Sequence, residues 1–258
     1  MRKKKVFTLM TVLAMLLLAA CSDSGSGKVI VATDAAYAPF EYLKDGKMTG
    51  FDIELLEAVM KEAGVEYEVK NTGWEPLFTS LNNEEVQAGI SAITINDKRK
   101  KTYDFSDPYF ESVNMIMTKE ESSVASAKDL DGKKVGVQTG TTGQEALEKL
   151  FGKNNENIKK YESNVLAIQA LLNGEVEAVV ADNGVLQEYV KNNPDKKVKA
   201  IEDKENFESE YYGIIFPKKS EHVKDINKGL KKVIDSGKYA EIYKKWFGEE
   251  PNVDVLKQ

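Results

Sequence analysis

The chain of 258 residues has one cysteine, Cys21, and one histidine, His222. A lone cysteine cannot close an internal disulfide, which leaves a free thiol or a covalent role for it. His222 has no histidine or cysteine companions that would make a metal site, and it stands at the start of an expected surface helix. Also lacking are low-complexity blocks, internal repeats and, past the first twenty residues, any apolar run long enough to span a bilayer. Cations are in the minority: 36 Lys and Arg face 42 Asp and Glu, a formal charge of −6 that disfavours a nucleic-acid partner. Carboxylates are therefore common, and their abundance alone does not point to an acid/base pair. No catalytic residue, metal or cofactor is expected.

What the sequence does contain begins with a leader. Arg2, Lys3, Lys4 and Lys5 precede an apolar run from Val6 to Leu18, which is short for a permanent span, and Ala19 and Ala20 follow. That order predicts a secretory signal over residues 1–20. Cys21 comes next, and Leu18-Ala19-Ala20-Cys21 resembles a bacterial lipobox, in which the cysteine is lipidated and becomes the new N-terminus. Residues 21–27 have the Ser/Gly composition of a flexible tether. Loss of residues 1–20 removes four cations and no acid, so the formal charge goes from −6 to −10. The expected location is the cell membrane, lipid-anchored and facing outside the cytoplasm.

The body after the leader is long enough for one large domain or two small ones. Its periodicity predicts alternating strands and helices. A β-branched run, Lys28 to Asp34, precedes a helix with Phe51, Leu55, Val59 and Ala63 on one face and Gly64 as its C-cap. Val65, Tyr67 and Val69 alternate as in a half-buried strand, and further strands are expected at AGISAI, KKVGVQ and VEAVVAD. The order implies an α/β architecture with largely parallel sheets, whose ligands collect at the carboxyl ends of strands. Four polar signals stand at such ends: Asp34, Thr94, the run QTGTTG from Gln138, and Asp182.

Seven segments in register carry a family resemblance: TDAAYAPFEY, GFDIELLEAV, TGWEPLFTSL, ISAITINDKRKKTYDFSDPYF, KVGVQTGTTG, AVVAD and YAEIYKKWFG. Together, from Lys28 to about Pro251, they resemble the substrate-binding proteins of polar amino acid ABC transporters. The resemblance implies a type II periplasmic-binding-protein fold, two α/β lobes joined by two hinge strands that close around a ligand. Residues 28–112 and 213–258 would form the first lobe and 113–212 the second. The implied partners are a free amino acid and an ABC permease in the membrane, with the binding protein itself a monomer.

The resemblance also assigns roles. Arg99 falls where the family grips the ligand's α-carboxylate, a task suited to a planar guanidinium; Lys98, Lys100 and Lys101 are expected in solvent. Ala92 and Thr94 belong to the same strand end, and Asn96 or Asp97 is expected to cap the short helix carrying Arg99. Thr141 and Thr142 open the helix after the Gly-rich turn, where free N–H groups favour an anion. This turn lacks the Gly-Lys-Ser/Thr ending of a nucleotide loop. Asp182 matches the acid for the α-ammonium, with helix capping as its rival role, and Tyr37 and Trp74 match the pocket walls.

Side-chain specificity then rests on Asp34 and Gln138. Asp34, Arg99 and Asp182 sum to −1, and a cationic ligand balances that charge where a zwitterion does not. A buried charge left without its partner costs about 3–5 kcal/mol. Glutamine-binding relatives offset the first acid with a lysine where this chain has Gln138. Arginine or lysine is accordingly the expected ligand. Glutamine or histidine remain open, because Glu41, Glu210 or a nearby lysine would alter the count; a dehydratase-like enzyme is the lesser alternative.

Overall fold

A computed structural model describes residues 27–256. The expected signal, Cys21 and the tether up to Ser26 lie outside the described residues.

The β-branched segment Val29–Thr33 is an inner strand of the first sheet, pairing in parallel with Tyr67–Asn71 and with Ala88–Gly89. Ile215–Pro217 joins this sheet antiparallel beside Ala88–Gly89, and Tyr103–Phe105 closes it on the other side. Against it lies the helix Phe51–Ala63, which buries Phe51, Leu55, Leu56, Val59 and Met60 and stops at Gly64 in the left-handed conformation. Full burial of each such side chain contributes about 1.5–3 kcal/mol. The helix His222–Asp235 packs on it closely because residue 229 is glycine: a Cβ there would come within 2.5 Å of the Val59 carbonyl oxygen.

The second sheet pairs Ile158–Tyr161, Val135–Gln138 and Ala178–Asp182 in parallel. Phe110–Lys119 and Val198–Glu202 extend it antiparallel. Helices Thr142–Phe151, Asn164–Asn173 and Asn183–Asn192 follow its strands. Phe110–Lys119 is long enough to belong to both lobes. Its first residues pair with Ser209–Tyr212 returning antiparallel, Phe110 opposite Tyr212 and Val113 opposite Ser209. These are the two hinge strands.

Two expectations about local structure differ from what is observed. Both sheets are mixed rather than largely parallel, because strands on either side of the hinge crossings run against the βαβ direction. In AGISAI only Ala88–Gly89 is a strand. The chain turns at Ala92, whose φ of +47° takes it out of the pleat. Among the described residues no helix is long and apolar enough to cross a membrane.

Candidate functional site

Between the lobes, Asp34, Tyr37, Trp74, Ser91, Ala92, Thr94, Arg99, Gln138, Thr141, Thr142 and Asp182 surround a space of about 310 Å³. All ten residues singled out from the sequence are among them, and Ser91 is the addition. Local structure explains the convergence. Asp34 follows one parallel strand, while Gln138 and Asp182 end two others. Thr141 caps the helix Thr142–Phe151, its hydroxyl accepting the Gln144 N–H at 3.4 Å. Wider clefts open elsewhere, one of about 960 Å³ lined by Glu111, Tyr239 and Leu256 among others. The interlobe space is set apart by gathering buried carboxylates around a guanidinium.

At one end stands Arg99. Its short helix, Asp97–Lys100, is capped by Asn96, whose Oδ1 accepts the Arg99 N–H at 2.8 Å. Nη1 donates to the Thr94 carbonyl at 2.9 Å, and Nη2 reaches across the cleft to the Gly140 carbonyl at 3.3 Å. The guanidinium lies over Trp74 and Phe78, 5.5 Å from each ring centroid, an arrangement worth up to about 2 kcal/mol when desolvated. Burial lowers the Arg99 pKa, and the nearby Glu145, Glu210 and Asp182 carboxylates push it back up. Both protein bonds go to neutral carbonyls, so the cation has no direct carboxylate partner among the described residues. Beside it, the Thr94 and Thr142 hydroxyls donate to Glu210 Oε2, at 2.9 and 2.7 Å. Burial and the Asp182 charge push Glu210 up to about 7, while the two hydroxyl bonds and Arg99 act in the opposite direction.

Two further acids stand in the lining. Asp34 is 9% exposed, and its Oδ2 accepts only from the Gln138 amide, at 3.4 Å. Asn164 donates to Gln138 Oε1 at 2.9 Å, which turns the Gln138 NH₂ toward Asp34. Among the described residues no cation pairs with Asp34, and burial raises its pKa. Asp182 also has its pKa raised by burial, offset by the Tyr212 and Tyr37 hydroxyls that donate to its Oδ2 at 2.5 and 2.7 Å. It occupies the N-cap position of Asn183–Asn192 without making a side-chain cap bond, so the rival capping role is not taken up.

A second layer supports this lining. Ser91 donates to Glu41 Oε1 at 2.6 Å and accepts the Asp34 N–H at 3.1 Å. Asp52 Oδ2 accepts the Ala92 N–H and the Tyr109 hydroxyl, each at 2.8 Å. Glu41 and Asp52 are fully buried, and the Asp52 charge adds to burial in raising the Glu41 pKa. Glu41 Oε2 and Asp52 Oδ1 have no hydrogen-bond partner among the described residues, and the repulsion between two buried carboxylates favours keeping a proton on the pair. The pair holds the left-handed Ala92, a conformation that costs a non-glycine residue about 1–3 kcal/mol. Sequence reasoning missed Ser91, inside an apolar run, and Asp52, which reads as an ordinary acidic first-turn residue. At the rim Lys98 is exposed as expected, and it also forms an ion pair with Glu145 at 2.5 Å.

Comparison with known proteins gives consistent matches. The profile of the family described as Bacterial extracellular solute-binding proteins, family 3, matches residues 29–249. The crystal structure of the arginine-, lysine-, histidine-binding protein ArtJ from Geobacillus stearothermophilus is 62% identical, with a TM-score of 0.89, covering 90% of this chain and all of that one. The arginine-binding extracellular protein ArtP of Bacillus subtilis is 36% identical over 89% of both chains. A Neisseria gonorrhoeae protein, named a probable histidine-binding protein, is 39% identical over 97% of this chain and 98% of its own length.

Proposed function

The chain belongs to the bacterial extracellular solute-binding proteins, family 3, and from that premise we propose that it captures arginine or lysine by hinge closure and delivers it to an ABC permease. The observation that carries the ligand class is Asp34: a buried carboxylate in the lining of the space with, among the described residues, only a neutral amide donating to it. A guanidinium or ammonium placed there removes the uncompensated charge, which a zwitterionic ligand leaves in place. The relatives' names, which include arginine, lysine and histidine binding, support the same class.

In this reading the ligand's α-carboxylate lies against Arg99, Thr94 and Thr142, and its α-ammonium against Asp182. Its side chain runs between the walls formed by Tyr37 and Trp74 toward Asp34 and Gln138. Ala92 and Thr141 contribute backbone to the carboxylate end. The moving bodies are residues 28–112 with 213–258, and 113–212. Residues 1–20 serve as the signal, Cys21 carries the lipid anchor, and the tethered protein works as a monomer. What supports the anchor is the lipobox pattern alone; Cys21→Ser is expected to move the protein from the membrane fraction to the soluble one on fractionation of expressing cells.

Thermal shift across the twenty common amino acids tests the ligand class. A ligand at a hundred times its Kd stabilises the folded state by about 2.7 kcal/mol, roughly 5–10 °C for a chain of this size. Arginine and lysine are expected to produce that shift. Stabilisation by glutamine with none by arginine or lysine would overturn the charge argument.

A further inference from the structure

Glu210 lies on the returning hinge strand Ser209–Tyr212 and is not among the residues that line the interlobe space. Its Oε2 nevertheless accepts from a hydroxyl of each lobe, Thr94 on one side and Thr142 on the other. Each hydroxyl has a single proton to donate. While Glu210 holds both, neither is available to a ligand's carboxylate.

We propose that Glu210 is a specificity-determining residue that competes with the ligand's α-carboxylate for Thr94 and Thr142, so that an amino acid binds together with a proton taken up on Glu210. The inference rests on the reading of Arg99, Thr94 and Thr142 as the carboxylate cradle. Two carboxylates cannot both stay ionised around one pair of hydroxyls without strong repulsion. Protonating Glu210 removes the like charge and makes it a weaker acceptor, which frees the hydroxyls to turn toward the ligand.

The charges facing Glu210 favour this. Arg99 approaches from the short helix Asp97–Lys100, and Asp182 from the end of strand Ala178–Asp182. Glu145 and Lys149 of helix Thr142–Phe151 line the groove on its other side, with Glu205 and Glu208 from the segment leading into the hinge. Glu111 stands opposite Tyr211 on the partner strand. Acids outnumber cations in that set, and the Glu210 proton already titrates at about 7 before a second carboxylate is added. Asp52 titrates at about 6 behind Ala92, so the dependence on Glu210 has to be isolated by substitution.

The test is calorimetric titration with L-arginine and L-glutamine between pH 6 and pH 8.5, in two buffers of different ionisation enthalpy, on the wild type and Glu210→Gln. Agmatine, which lacks the carboxylate, serves as control. In the wild type, binding of either amino acid is expected to take up close to one proton at pH 8.5. Its Kd then rises toward tenfold per pH unit above about 7. Glu210→Gln, which mimics the protonated acid, is expected to bind about thirtyfold tighter than wild type at pH 8.5 and to lose the pH dependence. Amino acids that bind far tighter than agmatine, with no proton uptake by the wild type, would overturn the role of Glu210 and leave the cradle standing. Agmatine binding as tightly as arginine would overturn the cradle, and the inference with it. A wild-type proton count of zero overturns the inference even where the variant fails to fold.

Discussion

Arg99 is one of two arginines in a chain rich in lysine, the other being Arg2 in the leader. Its guanidinium is held by two backbone carbonyls and two aromatic faces, so its position does not depend on a carboxylate, which suits the role proposed for it. A lysine has neither the planar fork nor the stacking surface. Arg99→Lys is therefore expected to weaken arginine binding by at least tenfold and Arg99→Ala by a hundredfold or more, the latter on the order of 3 kcal/mol. Wild-type affinity in Arg99→Ala would remove Arg99 from the site. Asp34 makes the complementary case. Asp34→Asn keeps the shape and a partner for Gln138 but removes the charge, so it should weaken arginine about a hundredfold and glutamine far less, measured by titration of both ligands. Equal losses for the two would mean that Asp34 shapes the pocket without selecting charge.

At the scale of elements, the strand Glu41–Lys44 and the first turn of helix Phe51–Ala63 each bring one acid to a common point under the turn at Ala92. Burial raises both pKa values, that of Asp52 to about 6 and that of Glu41, with the Asp52 charge added, further above the carboxylate range. A carboxyl whose folded pKa lies above its unfolded value stabilises the fold at low pH, and that contribution is lost as pH rises through the folded value. Wild-type stability should therefore decline from about pH 4 upward through pH 6 and beyond on account of this pair. Glu41→Gln keeps a donor toward Asp52 and an acceptor for Ser91 but cannot ionise. It is expected to match wild type in urea unfolding at pH 5 and to exceed it by about 1–2 kcal/mol at pH 8; parallel pH curves would show that the pair holds no shared proton.

The same elements show where the sequence was legible. Asp34, Gln138, Thr142 and Asp182 stand at strand ends or helix starts, positions that periodicity alone can locate, and the roles proposed for them come from the resemblance. The helix from Phe51 and its glycine stop were legible for the same local reason. Ser91 and Asp52 were not, and Glu41 was visible only as an uncounted charge, because their partners are 40 to 50 residues away in the chain and a buried acid has the same letter as a solvated one. Glu210 was visible as an uncounted charge, but nothing local tells that a hinge strand directs it at two threonines. The antiparallel half of each sheet was hidden for a related reason: it depends on how the chain crosses between lobes, which no local period encodes.

For the molecule as a whole, function depends on how closely the lobes approach. Several contacts span the cleft: Tyr37 to Asp182, Arg99 to Gly140, Gln138 to Asp34, and the ion pair of Lys98 with Glu145. The last is largely exposed and worth under about 1 kcal/mol. A tighter limit comes from packing where the helix Asn183–Asn192 begins. A Cβ at Gly184 would lie 2.8 Å from two ring carbons of Phe40 in the other lobe. Phe40 cannot give way, since it is fully buried and packed by Phe51, Phe110, Tyr212 and Phe247. Alanine at a helical glycine gains up to about 1 kcal/mol in propensity, so a loss of binding on Gly184→Ala must come from the clash holding the lobes apart. The variant is expected to melt within a few degrees of wild type without ligand and to bind arginine at least tenfold more weakly. In X-ray scattering it should show a smaller decrease in radius of gyration on adding saturating arginine. Unchanged affinity with full compaction would mean that the contact at Gly184 yields freely and that closure is limited elsewhere.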